Sequence, residues 1–410
     1  MASEESVARS VCVLSRQRIV GETNGSSIYL LSIVKYLVAN GLQVHYVCPS
    51  PSVFGRWPFL WLRPEMEAFS SYRIRGAWKF GRLVINPDLR VLLQAAVAVF
   101  DVIAARLKLP LRRFGRPASH SIFTPETLRE ADKRYLAKIA RPLADAILCD
   151  YASLAPAIAF VGRDDARSAV VMHDLFSAHY PEVDSETEFA WLSLADLIIA
   201  IQAKEAGAVS TRLPHTQVIV APMALTSVER AQPGDSDQLL FVGSYTAPNI
   251  EALNWFLTKV WPLVREHRPS LRLQVAGAVC RGVSETPDGV SLLGLVDDLR
   301  PLYRHAGVVI SPLRSGTGLK IKLIEALSHG KAVIATSATT FGVEELMQGA
   351  VVVADPEMAF AEGVLELAQD ERKRLLMGEQ GIGLVRRHFS PEACYRGIYE
   401  FLSQAKTAAP

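Results

Sequence analysis

Short apolar runs alternate with longer stretches of helical periodicity along most of the chain. Residues 28–39 carry apolar side chains at helical spacing and stop at Asn40-Gly41, a pair typical of a helix C-terminus. Buried strands that alternate with helices indicate a parallel sheet covered on both faces. In the first half, the pattern predicts strands at residues 11–14, 43–48, 146–149, 169–172, 197–201 and 217–220.

A polar segment, residues 226–238 with Pro233-Gly234 at its centre, is predicted to be a linker. Beyond it the alternation begins again, with strands at 239–242, 271–276, 308–311, 332–335 and 351–353, and helices at 249–266, 320–328 and 356–369. The sequence thus predicts an α/β protein with two tandem doubly wound, Rossmann-like parallel-sheet domains, over residues 1–225 and 239–389. A final helix within 390–410 begins at Ser390-Pro391 and could pack back on the first domain.

Composition narrows the class of protein. The chain has 410 residues, 44 Lys and Arg against 42 Asp and Glu, and half of its residues are hydrophobic. This mix excludes disorder, and a net charge of +2 argues against a nucleic-acid-binding protein. The 5 cysteines are widely spaced without a Cys-x-x-Cys pair, so neither a disulfide framework nor a zinc site is indicated. Without a signal peptide or a membrane-spanning apolar run, a cytoplasmic location is predicted.

The small net charge hides one strongly basic segment. Residues 51–120 contain 12 Lys and Arg against 4 Asp and Glu, a net +8 that leaves −6 for the rest. The segment also holds three tryptophans, an apolar stretch at 91–107 and a cluster of cations behind it. It is consistent with a surface that lies on an anionic membrane, or with an ordinary helix followed by a solvated basic loop. The residues concerned are Trp57, Trp61, Trp78, Lys108, Arg112, Arg113 and Arg116.

The stretch that follows the predicted strand at 308–311 has the composition of a phosphate site. Gly316 and Gly318 let the backbone approach a ligand closely, and the helix behind them directs its N–H groups to the same place. Lys320 and Lys322 add cations, which favours a diphosphate. Glu325, on the same helix, suits ribose hydroxyls better than phosphate. An ordinary turn and a solvated helix face are the alternative interpretations.

This stretch closely resembles the retaining glycosyltransferases of family 4, which have the GT-B fold. The shared pattern is GxGxxxKxxEA, followed by a Gly-x-x-V-I-A-T turn and strand. Further resemblance lies in LLFVGSYTAPNIEALNWF at 239–256, GLVDDLRPLYRHAGVVISPL at 294–313, the loop Gly21-Glu-Thr-Asn-Gly25, and VMHDL at 171–175.

The resemblance implies transfer of a sugar from a nucleoside-diphosphate sugar to an acceptor hydroxyl, with retention and without a metal or other cofactor. It places Lys320 and Lys322 on the diphosphate, Glu325 on the ribose and His173 at the donor sugar. Backbone donors would come from Gly316, Thr317, Gly318 and Leu319, with Gly243 and Ser244 beneath the phosphates. The acceptor-side loop would be Gly21, Thr23, Asn24 and Gly25. Many members carry a glutamate eight positions before Glu325, where this chain has Thr317.

In such an enzyme the basic segment, residues 51–120, would be a membrane-binding surface. The partners implied are a nucleotide-sugar donor, a lipid-linked oligosaccharide acceptor of surface polysaccharide synthesis, and an anionic membrane surface met by residues 51–120, with no nucleic acid. The location implied is cytoplasmic, on the inner face of the plasma membrane. Two alternatives stay open: a nucleotide-sugar epimerase of related two-domain fold, and a non-catalytic glycosyltransferase-like partner subunit. Asp235-Ser-Asp237 matches a metal-binding DxD pattern, but its place in the predicted linker argues against a metal site.

Overall fold

A computed structural model describes residues 10–55, 57–106, 128–162, 165–315 and 319–404. The chain divides into two compact units, Met1–Ala221 with Tyr395–Pro410, and Pro222–Cys394. The second unit therefore includes the segment 226–238 that the sequence assigns to a linker. Each unit is built on a parallel sheet, so the predicted fold class is confirmed.

Seven strands of the first unit form its parallel sheet, in the order β10-β9-β8-β7-β1-β2-β4, and three short antiparallel strands form a second sheet, β3-β6-β5. The sequence predicted every strand of the large sheet except β4, and none of the small one. The strands are β1 (Ser10–Leu14), β2 (Gln43–Cys48), β3 (Phe59–Trp61), β4 (Ser71–Ile74), β5 (Trp78–Phe80), β6 (Leu83–Ile85), β7 (Ala146–Asp150), β8 (Arg167–Val171), β9 (Leu197–Ala200) and β10 (Gln217–Val220).

Helices cover the large sheet of the first unit. The first of them, Gly25–Ala39, begins at Asn24, whose side chain accepts a hydrogen bond from the Ser27 N–H, and ends at Asn40, as predicted. The other α-helices are Leu89–Arg106, Glu130–Tyr135, Ile158–Val161, Phe176–His179, Ser185–Leu192 and Ala203–Arg212; shorter turns lie at Pro51–Phe54, Pro64–Ala68, Leu136–Ala140, Arg141–Leu143 and Ala152–Ala157.

The last helix, Pro391–Ser403, contributes its second half to the first unit. Tyr395, Ile398 and Leu402 are fully buried there. The Tyr395 hydroxyl lies 2.6 Å from the Ser32 hydroxyl on the first helix. Fully burying side chains of this size stabilises the unit by about 1.5–3 kcal/mol each, so this contact is part of its core.

The sheet of the second unit has the order β13-β12-β11-β14-β15-β16, all parallel. Its first strand begins at Asp235, earlier than predicted, because Asp235 pairs with Ala306. Gly234 has φ +65°, and a Cβ there would lie 2.0 Å from the Ala306 carbonyl oxygen, so the supposed linker centre packs on β14. The strands are β11 (Asp235–Val242), β12 (Arg272–Ala276), β13 (Val290–Gly294), β14 (Ala306–Ser311), β15 (Ala332–Ala335) and β16 (Val351–Val353).

The helix predicted at 249–266 is present but interrupted by one wider turn, Phe256–Val260, between Ala247–Trp255 and Trp261–His267. Pro262 explains the interruption, since its ring has no N–H and clashes with the carbonyl four residues earlier in a regular helix. The remaining helices are Arg300–His305, Ile321–Ser328, Ser337–Thr340, Glu357–Gln369 and Glu371–His388. Across the described ranges, the helices lack the combination of length and hydropathy that crossing a bilayer requires.

One cation lies deep in the second unit. Lys331, directly before β15, is 1% exposed, and its Nζ donates to the Gln232 carbonyl oxygen at 2.8 Å. Burial, and then the nearby Arg374, lower the pKa of Lys331 to about 8. The folded state therefore holds this proton less tightly than the unfolded chain does.

This difference predicts a pH-dependent stability. Between about pH 8 and 10.5 the unfolded chain binds more protons at Lys331 than the folded protein, so the free energy of unfolding should rise with pH in that window. The gain approaches about 3 kcal/mol if the full shift is expressed. Urea unfolding of the wild type and of Lys331→Met should diverge over this range, while parallel curves would contradict the assignment.

Candidate functional site

The predicted donor residues lie where the winding of the second sheet reverses. The chain leaves β11 toward β12 and β13 on one side, and returns to β14 on the other. The ends of β11 and β14 thus form the switch point at which such sheets bind ligands. Gly243 and Ser244 follow β11, and the stretch from Leu319 to Glu325 follows β14. Gly316, Thr317 and Gly318 lie outside the described residues.

Close backbone packing shapes the loop after β11. The Gly243 N–H donates to the Ala276 carbonyl at 3.0 Å, and the Val279 N–H donates to the Gly243 carbonyl at 3.2 Å. Gly277, after β12, has φ +105°, and a Cβ there would lie 2.1 Å from the Gly243 oxygen. Sequence reasoning missed Gly277, although a glycine directly after a buried strand is a usable signal.

The rest of that loop is held by one amide. Asn249, on the following helix, donates through Nδ2 to the Ser244 carbonyl at 3.1 Å, the Ser244 hydroxyl at 3.0 Å and the Thr246 hydroxyl at 2.9 Å. Ser244 is therefore fixed in position at the start of the helix Ala247–Trp255, while it remains exposed to solvent.

Side chains join the loops of the two central strands. The Ser315 hydroxyl, after β14, donates to a Glu251 carboxylate oxygen at 3.3 Å, and the Arg314 guanidinium lies 5.2 Å from the centre of the Trp255 ring. Glu251 and Trp255 are on the helix that follows the Gly243 loop. Thr339, after β15, also donates to the Ser311 carbonyl at 2.6 Å. The tertiary structure thus brings both halves of the predicted donor site to one edge.

The cationic half begins at Lys320, the residue before the helix Ile321–Ser328. Burial lowers the pKa of Lys320, which means that its charged form lacks part of its hydration. The Lys322 ammonium lies 2.6 Å from a Glu325 carboxylate oxygen on the next turn. Two residues assigned to different parts of the ligand are therefore paired with each other. An anion at this edge would be attracted by both lysines and by the N–H groups of the helix.

In the first unit, three polar side chains meet at the corresponding edge. The Ser15 hydroxyl donates to Oδ2 of Asp150 at 2.6 Å, and His173 Nε2 lies 2.7 Å from Oδ1 of the same carboxylate. Ser15 follows β1 and Asp150 ends β7, the two strands at the switch point of this sheet, and His173 follows β8. All three are buried. Sequence reasoning found His173 but missed Asp150, which bonds to it, and Ser15, which bonds to Asp150.

His173 is held tightly by its surroundings. His173 and Tyr151 have φ of 61° and 72°, and they are the non-glycine residues with positive φ in the part of the chain that the structure describes. The Tyr151 ring stacks on the imidazole at 4.1 Å, and the Tyr29 ring meets it edge-on at 5.6 Å. Such backbone strain costs about 1–3 kcal/mol and concentrates at functional sites. With Nε2–H donating to Asp150, Nδ1 is left as an acceptor.

The predicted acceptor-side loop has a strong local role as well. Asn24 Oδ1 accepts from the Ser27 N–H at 2.9 Å, and the Thr23 and Asn24 N–H groups donate back to the Ser27 hydroxyl at 3.0 and 3.1 Å. This is a capping box at the start of the helix Gly25–Ala39. Gly21 lies against the Arg63 side chain. The loop is thereby fixed at the same edge of the sheet as Ser15.

The DxD pattern opens a strand instead of ending one. Asp235 and Asp237 lie at the start of β11, opposite the Gly243 end, and Asp237 pairs with Arg268 at 2.7 Å. In the residues that the structure describes, no group of three His, Cys, Asp or Glu side chains is placed to hold a metal ion.

Comparison with known proteins shows a family match for the part of the chain that holds the candidate donor residues. Residues 236–370 match the family model described as glycosyl transferases group 1. The match lies within the second unit and includes Gly243, Ser244 and the stretch from Leu319 to Glu325.

The chain is also similar to a bacterial relative and to solved structures. The chain is 24% identical, over 174 residues, to an uncharacterized 44.6 kDa protein in the cps region of Klebsiella pneumoniae. The aligned residues make up 40% of this chain and 45% of that protein. TarM of S. aureus aligns over 96% of this chain and 99% of its own, with 9% identity and a TM-score of 0.63. Anabaena Alr3699/HepE, solved with UDP and glucose, aligns over 96% and 99%, with 13% identity and a TM-score of 0.57. At these identities the structural likeness shows the two-domain α/β fold alone, while the match to glycosyl transferases group 1 covers residues 236–370.

The hydrogen bond to Asp150 predicts the tautomer of His173. In its neutral form, the wild-type imidazole should carry its proton on Nε2, with Nδ1 unprotonated. In Asp150→Asn the charge is lost, and the Nδ1–H tautomer should gain population. Imidazole nitrogen chemical shifts measure this in histidine-labelled protein. Asp174→Asn, a change at the partly exposed carboxylate next in sequence, should leave the tautomer alone; a wild-type proton on Nδ1 would refute the arrangement.

The contact between Gly277 and Gly243 predicts that replacing Gly277 with alanine lowers the free energy of unfolding more than usual. Gly294→Ala places a side chain at φ +68° in open space and should cost about 1 kcal/mol, by backbone strain alone. Gly277→Ala adds a clash with backbone, which cannot move aside easily, so its cost should exceed that of Gly294→Ala by at least about 2 kcal/mol. Unfolding free energies compare the two variants, and equal costs would disprove the close approach.

Proposed function

We propose that this protein is a retaining, metal-independent glycosyltransferase. It transfers a sugar from a nucleoside-diphosphate sugar to a hydroxyl of a lipid-linked oligosaccharide in surface polysaccharide synthesis. The observation that carries the proposal is the switch point of the second unit, where the Gly243 loop and the Lys320 helix start meet within the segment that matches group 1 glycosyl transferases. The complex of Alr3699/HepE with UDP and glucose supports a nucleotide-sugar donor.

The donor would be held by residues of both loops. Gly243 and Ser244 present backbone beneath the phosphates, and Gly316, Thr317, Gly318 and Leu319 donate N–H groups from the other loop. The diphosphate would place a counter-charge beside Lys320 and so offset the hydration that its ammonium loses on burial. Lys322 bridges from Glu325 to the diphosphate, and the Glu325 carboxylate accepts hydrogen bonds from the ribose hydroxyls.

Charge development explains how this arrangement promotes the reaction. As the anomeric carbon–oxygen bond breaks, the leaving diphosphate gains negative charge, and Lys320, Lys322 and the helix N-terminus stabilise it. The acceptor oxygen bonds to the anomeric carbon on the same face through an oxocarbenium-like state, and its proton passes to the departing phosphate oxygen. His173, with Nδ1 as an acceptor, would bind a hydroxyl of the transferred sugar.

The acceptor would meet the first unit. The loop at Gly21 and Thr23 is joined to the basic segment 51–120, because the Arg63 N–H donates to the Val20 carbonyl at 2.8 Å. A lipid-linked oligosaccharide extends from an anionic bilayer, which the net +8 of this segment attracts. We therefore place the enzyme in the cytoplasm, peripherally on the inner face of the plasma membrane.

Products distinguish this function from its alternatives. Incubation with the donor and an acceptor should release free nucleoside diphosphate and a glycosylated acceptor, whereas an epimerase would return an isomerised sugar nucleotide. A non-catalytic partner subunit would bind nucleotide at most and change neither substrate. Thermal-shift measurements with UDP, GDP and ADP identify the base first, because a ligand that binds the folded state raises its melting temperature.

Lysine variants test the donor site. Lys320→Ala and Lys322→Ala should each lower kcat/KM by about 100-fold or more, since each removes a cation from the leaving group. Lys373→Ala is the matched control, because it also removes a lysine paired with a glutamate in the second unit, Glu366, away from the switch point. Lys373→Ala should keep wild-type activity. Full activity in Lys322→Ala would contradict the site assignment.

A further inference from the structure

The small sheet of the first unit has one face made of large apolar side chains. In its register Phe59 pairs with Ile85 and Ile85 with Trp78; Trp61 pairs with Leu83 and Leu83 with Phe80. Because side chains alternate along a strand, these six lie on the same face, two rows of three. We call them the aromatic face. The opposite face carries Leu60 and Val84, which are buried in the unit, and Lys79, which is exposed.

The aromatic face is uncovered. Trp61 is 62% exposed, Trp78 61% and Phe80 59%, and Phe59 is nearly half exposed. Trp57 lies beside it, 6.2 Å from Phe59 between ring centres. The helix Leu89–Arg106, next along the chain, exposes further large side chains, among them Leu89, Leu93, Val97 and Phe100. Single exposed apolar residues are ordinary, but a concentration of this size marks an interaction surface.

The positive charge around the aromatic face indicates which partner covers it. The basic segment 51–120 contains the whole aromatic face, and Arg63, Arg73, Lys79 and Arg82 are exposed on or beside the small sheet. A second copy of this chain would bring one net +8 segment against another, which opposes pairing. An anionic bilayer supplies both an opposite charge and an apolar interior. Tryptophan is the residue enriched where water and hydrocarbon meet.

We propose that the aromatic face inserts into the interfacial region of an anionic membrane and docks the protein there. This docking proposal rests on the proposed function in one respect, namely that the acceptor lies in the same membrane. The face is firmly connected to the acceptor-side loop. Leu62 N–H donates to the Arg82 carbonyl at 2.8 Å, and the next residue, Arg63, bonds to Val20. Tyr72 and Tyr46 donate to the Ile19 and Gln17 carbonyls, each at 2.9 Å, and hold the same loop.

Flotation of the full chain with lipid vesicles tests the docking. Vesicles of phosphatidylcholine and phosphatidylglycerol, in a two to one ratio, should bind the protein, and phosphatidylcholine alone should bind it weakly. Added salt should weaken the binding because it screens the charges. The double variant Trp61→Ser, Trp78→Ser should lose at least about tenfold in partitioning, since it removes apolar area from the bilayer. Both tryptophans are mainly exposed, so the variant should keep the wild-type melting temperature.

The matched control is Met358→Ala with Leu376→Ala, which removes two comparably exposed apolar side chains from helices of the second unit. It should bind vesicles as the wild type does. Tryptophan fluorescence should be quenched by brominated lipid in the wild type and in this control, and much less in the tryptophan variant. Equal flotation of the tryptophan variant and the wild type would overturn the proposal. So would a concentration-dependent dimer in sedimentation that the tryptophan variant abolishes, because the occupant would then be a second copy.

The outcome is separable from that of the proposed function. Transfer to a water-soluble acceptor without vesicles should be the same for the wild type and the tryptophan variant. Vesicle binding without any sugar transfer would disprove the transferase and leave the docking surface standing. Sugar transfer without vesicle binding would disprove the docking surface and leave the transferase standing.

Discussion

In a parallel sheet every strand ends at the same edge, and this constraint places both groups of candidate residues. The chain enters each sheet in the middle, winds outward on one side and then returns to the other, so that two neighbouring strands send their loops in opposite directions. In the second unit these strands are β11 and β14, and in the first they are β1 and β7. Gly243 and Lys320, and Ser15 and Asp150, lie at these two points because they end or follow the strands at which the winding reverses.

Pairing of charges makes such edges compatible with a stable fold. Asp150 is buried but accepts two hydrogen bonds, and its partner His173 is enclosed by two tyrosine rings. Lys322 and Glu325 neutralise each other on one helix face. An unpaired buried charge would cost several kcal/mol, so these partners keep the candidate side chains in place before any ligand binds. The strained backbone at His173 and Tyr151 belongs to the same pre-organised edge.

The small antiparallel sheet differs from the two large sheets in how its faces are covered. Its inner face, with Leu60 and Val84, is buried like any core strand, yet its outer face is also apolar. Half-buried antiparallel sheets usually alternate apolar and polar positions, because water covers the outer side. Here β3 and β6 lack the alternation, and in β5 the polar position, Lys79, lies on the side opposite to the exposed Trp78 and Phe80, so water is a poor partner for the outer face. A bilayer would complete the burial that the polypeptide leaves unfinished, and the neighbouring cations select an anionic one.

The sequence by itself determined the strands of the two large sheets, apart from β4 and β13, because short apolar and β-branched runs bounded by loop residues have few alternatives. It also located the Lys320 and Glu325 stretch, where glycines, cations and helical spacing occur together in one short window. Only the tertiary structure decided the rest. Ser15, Asp150 and Gly277 are single residues whose partners lie at least 23 positions away along the chain, and no local pattern records such a distance. The aromatic face was hidden for a related reason, since its members come from three separate short strands and form rows only when those strands pair.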